Sequence, residues 1–133
     1  MTRVWVNGCF DVIHRGHIEL FRYAKAQGDY LIVGLDKDSR ISESKGVSRP
    51  INKLEDRVFV LQSIKYIDEV VSFGSDTELE EQIKLASPDI MVVGDDWKNK
   101  KIIGGHLVDN KLYFKRLIGY STTDILRGQA SGE

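Results

Sequence analysis

One cysteine, Cys9, stands among 133 residues, so no internal disulfide can form, and a zinc site would have to join that thiol to three scattered histidines. That scarcity points to a reducing, cytoplasmic setting. Proline is almost missing, at two residues, and the twelve glycines are dispersed, which leaves no repeat, low-complexity tract or linker. Neither charge sign dominates, since 19 Lys and Arg against 20 Asp and Glu give a net charge of -1. A domain that lives on the phosphates of a long nucleic acid would be basic, so no nucleic-acid partner is expected. No apolar run approaches the ~18 to 20 residues that span a bilayer, and no basic-then-apolar leader opens the chain. A membrane segment is not expected.

What is present is enough for one buried core: 41% of the residues are apolar, at a length too short for two full domains. Residues 1–133 are therefore read as a single domain, with 127–133 as a flexible tail. Arg3 to Val6 and Tyr30 to Leu35 are short β-rich runs, the second nearly continuous in apolar residues, as a strand covered on both faces should be. A helix from about Gly16 to Ala26 lies between them, with Leu20, Phe21 and Ala24 on one face and Gly28 as its stop. Asn52 and Glu55 have capping-box spacing ahead of a helix that ends near Tyr66. Strands follow at Glu69–Phe73, Ile90–Val93 and Lys111–Lys115. Asp76 is placed to cap a helix from Glu78 to Ala86, and Ser121 to cap a last short one. Strands alternating with helices predict an α/β fold: a single Rossmann-like, doubly wound, five-stranded parallel sheet with helices on both faces.

Ligands of such sheets bind beyond the carboxyl ends of the strands. Three segments fall there: Asn7 to His17, Gly94 to Trp97, and Arg116 to Thr123. In the first, His14 and His17 share one turn at a helix start, where unpaired N–H groups and the helix dipole already favour anions. Two imidazole donors would add hydrogen bonds to phosphate oxygens, and Gly16 leaves room for a phosphate against the backbone. Metal ligation and two unrelated structural histidines are the rivals, the first weakened by the lack of any matching carboxylate or Cys/His spacing. In the third segment, Arg116 precedes a hydroxyl-rich helix start at Ser121, Thr122 and Thr123. That arrangement suits a triphosphate tail, or an ordinary helix cap.

The strings Gly8-Cys9-Phe10-Asp11 running into His14-Arg15-Gly16-His17, with Gly119-Tyr120-Ser121-Thr122-Thr123 near the end, closely resemble the nucleotidyltransferase superfamily of cytidylyltransferases and small adenylyltransferases. The likeness runs from about Val4 to Leu126. It implies attack of a substrate phosphate on the α-phosphorus of a nucleoside triphosphate, with release of pyrophosphate. Two branches compete. Gly94-Asp95-Asp96-Trp97 and Arg116 look like glycerol-3-phosphate cytidylyltransferase. Asn7 to Asp11, Arg49-Pro50-Ile51-Asn52 with Leu54-Glu55-Asp56-Arg57, and Phe73 with Asp76-Thr77 look like the heptose-1-phosphate adenylyltransferases. CTP is the expected donor, because the segment after the fourth strand is placed to read a base edge. The acceptor is a small phosphorylated alcohol or sugar, with glycerol phosphate disfavoured by the lysine-free stretch Ser72 to Glu81.

The attacking phosphate is already ionised, so positioning and charge neutralisation carry the chemistry. The resemblance makes His14, His17, Lys45 and Arg116 the catalytic set, with Lys45 reaching over the triphosphate from a loop spanning Ser42 to Arg49. It makes Gly8, Cys9, Phe10, Gly16, Asp95, Trp97, Gly119, Tyr120, Ser121, Thr122 and Thr123 the nucleotide-binding set. Asp95 reads either the base or the ribose, unless it belongs to a solvated acidic turn; Trp97 packs on a ligand, in the core or in a dimer. Arg57 faces an acceptor phosphate or pairs with a neighbouring acid. Cys9 is a small buried residue rather than a nucleophile. Magnesium comes with the triphosphate, with no protein side chain assigned as its ligand, and a homodimer is expected.

Overall fold

The computed structural model describes residues 1–115; Arg116 to Glu133, with the terminal motif and the tail, lie outside the described residues. Five strands form one parallel sheet: β1 (Arg3–Gly8), β2 (Tyr30–Asp36), β3 (Glu69–Phe73), β4 (Ile90–Gly94) and β5 (Asn110–Phe114), in the order β3-β2-β1-β4-β5. The helices are α1 (Arg15–Ala26), α2 (Asp38–Lys45), α3 (Leu54–Gln62) and α4 (Asp76–Ala86).

Strand alternation divides the core into two layers. Val4, Val6, Leu31, Val33, Leu35 and Val92 pack with Phe21 and Ala24 of α1 and Leu61 of α3. Trp5, Ile32 and Met91 point the other way, onto Leu79, Ile83 and Ala86 of α4. The Trp5 ring needs a gap in the neighbouring strand, and Gly34 provides it: a Cβ there would stand 2.7 Å from Trp5 Cζ2. With apolar groups on both faces, the central strands cannot alternate apolar with polar, which is why their sequence is nearly continuous in apolar residues.

Several local expectations are corrected. Asn52 and Glu55 form no capping box: α3 begins after Lys53 without a side-chain cap, and it ends at Gln62 rather than near Tyr66. The Asn52 amide is used elsewhere, donating to the Asp11 carbonyl at 2.6 Å. Ser75, not Asp76, caps α4 by accepting from Glu78 N. The segment from Ser42, expected as loop, is helical to Lys45, since α2 follows β2 almost at once and buries Ile41. No helix among the described residues is long and apolar enough to cross a membrane.

Strand order reverses beside β1, between β2 and β4. Pairing of β1 with β4 is confined to Val4 with Ile90 and Trp5 with Met91, while β1 stays paired with β2 as far as Gly8 and Leu35. The sheet therefore opens between β1 and β4 toward their carboxyl ends, the place where such folds hold ligands.

Candidate functional site

His14 and His17 follow β1, His14 as the N-cap of α1 and His17 on its first turn. His14 is the N-cap: its extended backbone leaves the helix, and its Nδ1 accepts the Gly16 N–H at 3.0 Å. His17, three residues on, reaches back with its own Nδ1 to accept the His14 N–H at 3.2 Å. Two imidazoles thus make the reciprocal cap that Ser and Glu usually make. Their rings stack with centroids 3.8 Å apart and planes at 27°.

The cap fixes the tautomer. An imidazole nitrogen that accepts an N–H carries no proton, so each neutral ring carries its proton on Nε2. Both histidines are therefore donors at the atom turned away from the helix backbone. The expectation that the α1 amides themselves receive a phosphate is narrowed by the same geometry. The Gly16 N–H is spent on His14, and those of His17 and Ile18 on the His14 carbonyl.

The loop before the helix is held by several long-range hydrogen bonds. Phe10 adopts φ +46°, a left-handed conformation uncommon outside glycine. Its ring folds over Gly8, where a Cβ would lie 3.0 Å from the ring, and stands edge-on to His17 at 5.4 Å. Asp11, 3% exposed, accepts the Ile51 and Asn52 N–H groups, each at 2.8 Å. Sequence inspection assigned Asp11 no role, because its partners stand 40 and 41 residues away, beyond any local spacing. A cleft of about 280 Å³ lies beside this loop, with Phe10, Val12, Ile13, Asn52 and Val60 among its lining residues.

Cys9 is half-buried, and its Sγ lies 3.4 Å from Asp36 Oδ2. Burial and the Asp36 charge push the thiol up to about 11, against a smaller opposing effect of Lys45, so it is protonated at neutral pH and no nucleophile. Lys45 is exposed on the last turn of α2, close enough for its charge to act on Cys9.

Arg57 is 1% exposed and borders that cleft. Its guanidinium donates to the carbonyls of Asn52, Cys9 and Asp36 and, at 2.7 Å, to Asp38 Oδ1. Of the alternatives open from sequence, the ion pair is the one present. Asp95, Asp96 and Trp97 form a short 3-10 turn directly after β4, all exposed, with Lys100 Nζ 5.7 Å from the Trp97 ring centre. Trp97 is thus not a core residue. Arg116, Gly119, Tyr120, Ser121, Thr122 and Thr123 lie outside the described residues, so their meeting with the histidines is not part of this geometry.

A parallel α/β sheet that opens at its reversal point, with two histidines paired at the start of the helix after β1, defines a Rossmann-like fold. The chain belongs to the Cytidylyltransferase-like family, whose model matches residues 5–128, and so to the nucleotidyltransferase superfamily. Among curated relatives, the bifunctional protein HldE of Helicobacter pylori (strain J99) is 44% identical over 123 residues, 92% of this chain and 26% of the relative. The bifunctional protein HldE of Nitratiruptor sp. is 41% identical over 128 residues, 96% and 28% respectively. The chain thus spans about a quarter of the length of the relatives it matches. Among solved structures, a lipopolysaccharide core biosynthesis protein from Thermoplasma volcanium superposes with TM-score 0.71 at 25% identity, over 86% of this chain and 98% of that one.

Proposed function

We propose that the chain transfers a nucleotidyl group from ATP to the phosphate of a small phosphorylated sugar, of the heptose-1-phosphate kind, and releases pyrophosphate. The carrying observation is the identity of 40 to 44% with HldE proteins across more than nine-tenths of the chain. This reading replaces CTP, the donor expected from sequence. The string that favoured CTP, Gly94 to Trp97, is a surface turn with three exposed side chains. The strings that resemble heptose-1-phosphate adenylyltransferases instead interlock: Asp11 holds Ile51 and Asn52, and Arg57 holds Cys9. A relative in fold that serves lipopolysaccharide core biosynthesis also favours a sugar acceptor over glycerol phosphate.

In the proposed reaction an acceptor phosphate oxygen forms a bond to the α-phosphorus, the bond from that phosphorus to the bridging oxygen of the β-phosphate breaks, and pyrophosphate leaves with the electron pair. The attacking oxygen is anionic, so no protein base is needed. His14 and His17 donate from Nε2 to the phosphate oxygens that gain charge. Lys45 approaches the triphosphate from the end of α2, and Gly8, Cys9 and Phe10 form the wall along it. Arg116, Ser121 and Thr122 hold the β- and γ-phosphates.

Magnesium is proposed to ride on the triphosphate. Among the described residues no group of three or more His, Cys, Asp or Glu could hold a metal ion, whereas a triphosphate supplies oxygen ligands of its own. Chelation should then abolish turnover, and the homodimer, also carried as a proposal, is checked by sedimentation.

Pyrophosphate release from ATP, CTP, GTP and UTP, each with a panel of sugar 1-phosphates and with glycerol 3-phosphate, is the deciding assay. ATP with a sugar 1-phosphate should be fastest. A preference for CTP would restore the cytidylyl reading, and tight nucleotide binding with no turnover would make the chain a nucleotide sensor.

A further inference from the structure

Arg57 is an expensive residue to bury. A guanidinium taken out of water costs several kcal/mol unless its donors are met, and an apolar side chain of similar volume would often serve stability as well. Here the donors are met by four separate segments. Nε reaches Asn52 O at 3.0 Å, Nη1 reaches both Cys9 O at 2.9 Å and Asp36 O at 2.7 Å, and Nη2 reaches Asp38 Oδ1 at 2.7 Å. The planar fork thereby joins the lead-in of α3, the loop after β1, the end of β2 and the start of α2, the helix that ends in Lys45. A lysine could not span them, since its ammonium is one point rather than a fork.

The bond to Cys9 bears on the histidines. The Cys9 carbonyl belongs to the peptide that enters Phe10, and Phe10 has φ +46°. A left-handed non-glycine residue persists only where its surroundings over-determine it. The flanking restraints are Arg57 on the Cys9 carbonyl, the Ile51 and Asn52 backbone amides on the Asp11 carboxylate, and the Asn52 side-chain amide on the Asp11 carbonyl. That backbone turns the Phe10 ring back onto Gly8, edge-on to His17 at 5.4 Å and to Phe21 at 5.0 Å. His17 in turn stacks on His14 at 3.8 Å. A contiguous series of contacts runs from a buried guanidinium to both imidazoles.

We propose that Arg57 is the positioning residue of the histidine pair, acting through the Cys9 carbonyl and the left-handed Phe10, and that Phe10 sets the His17 ring. The kinetic part of the test rests on the nucleotidyl-transfer reading; the spectroscopic part does not.

The full chain is compared with Arg57→Lys, which keeps the charge and loses the fork, and Phe10→Leu, which keeps an apolar side chain and removes the ring edge from His17. With ATP and the best acceptor, kcat should fall about 10²-fold, as for a reacting group misplaced by about an ångström. In Arg57→Lys, KM for ATP should stay within about threefold, because ground-state binding is spread over other groups. Long-range proton–nitrogen spectra of the imidazoles should show one Nε2–H tautomer for His14 and His17 in the parent and a tautomer mixture in the variants. Wild-type spectra in both folded variants overturn the proposal, whatever happens to kcat. If Arg57→Lys does not fold, Phe10→Leu decides. If the parent transfers no nucleotide, the proposed function fails and the spectra still decide the positioning.

Discussion

Removing the Asp11 carboxylate should nearly unfold the domain. Asp11 is 3% exposed and accepts two backbone N–H groups, from Ile51 and Asn52, at 2.8 Å each. Arg49 Nη1, at 3.9 Å, is too distant to add a directed bond. A hydrogen bond to a charged group contributes about 1.5 to 3 kcal/mol, and Asp11→Ala loses two of them, or about 3 to 6 kcal/mol. That is a large part of the ~5 to 15 kcal/mol available to a domain. At roughly 2.1 cal/mol/K of unfolding entropy per residue, 133 residues convert the loss into a fall in Tm of roughly 10 to 20 °C. Asp11→Asn is the sharper variant. Its one carbonyl oxygen can accept from one amide, while its NH₂ opposes the other, so it should recover about half of the loss. Urea denaturation of parent and both variants, with an unchanged m-value, measures the difference directly. A loss below about 1 kcal/mol in Asp11→Ala, or Asn no better than Ala, would refute this account of the loop.

Replacing the histidines separates capping from chemistry: His14→Asn and His17→Gln keep cap acceptors at both positions and should retain most of the stability, yet lose about 10²-fold in kcat for want of the Nε2–H donor. Near-normal turnover in either would end the donor role. Cys9, raised to about 11 by burial and Asp36, should react with a disulfide reagent at pH 8 far more slowly in the folded protein than in urea; equal rates would contradict its protonated state. Asp68 is lowered because, against the opposing effect of burial, the Lys25 ammonium and the Leu31 N–H favour its charged form. Its contribution is therefore present above the ordinary Asp range and lost as pH falls through its depressed value. In thermal melts the difference between parent and Asp68→Asn should shrink on acidification, and a constant difference would exclude that linkage.

Much of the architecture was legible because its causes are local. Tyr30 to Leu35 is nearly continuous in apolar residues because both faces of that strand are covered, and Phe21 and Ala24 lie on one side of α1 because helical periodicity puts them there. The placement of functional segments after strands follows from parallel topology, so His14 and His17 could be set at a helix start from spacing alone. Their use of Nδ1 to cap that helix could not, since it depends on backbone angles at His14. Helix limits failed where a tertiary partner outcompeted a local one. Asn52 looked like a cap and instead binds the Asp11 carbonyl, and Arg57, open from sequence between an acceptor phosphate and an ion pair, ties four segments together through partners up to 48 residues away. Sequence by itself determined which side chains exist and which turn of which element carries them. Only the tertiary structure decided which are buried, because a buried donor or acceptor must find its partner wherever the folded chain brings one, however many residues away.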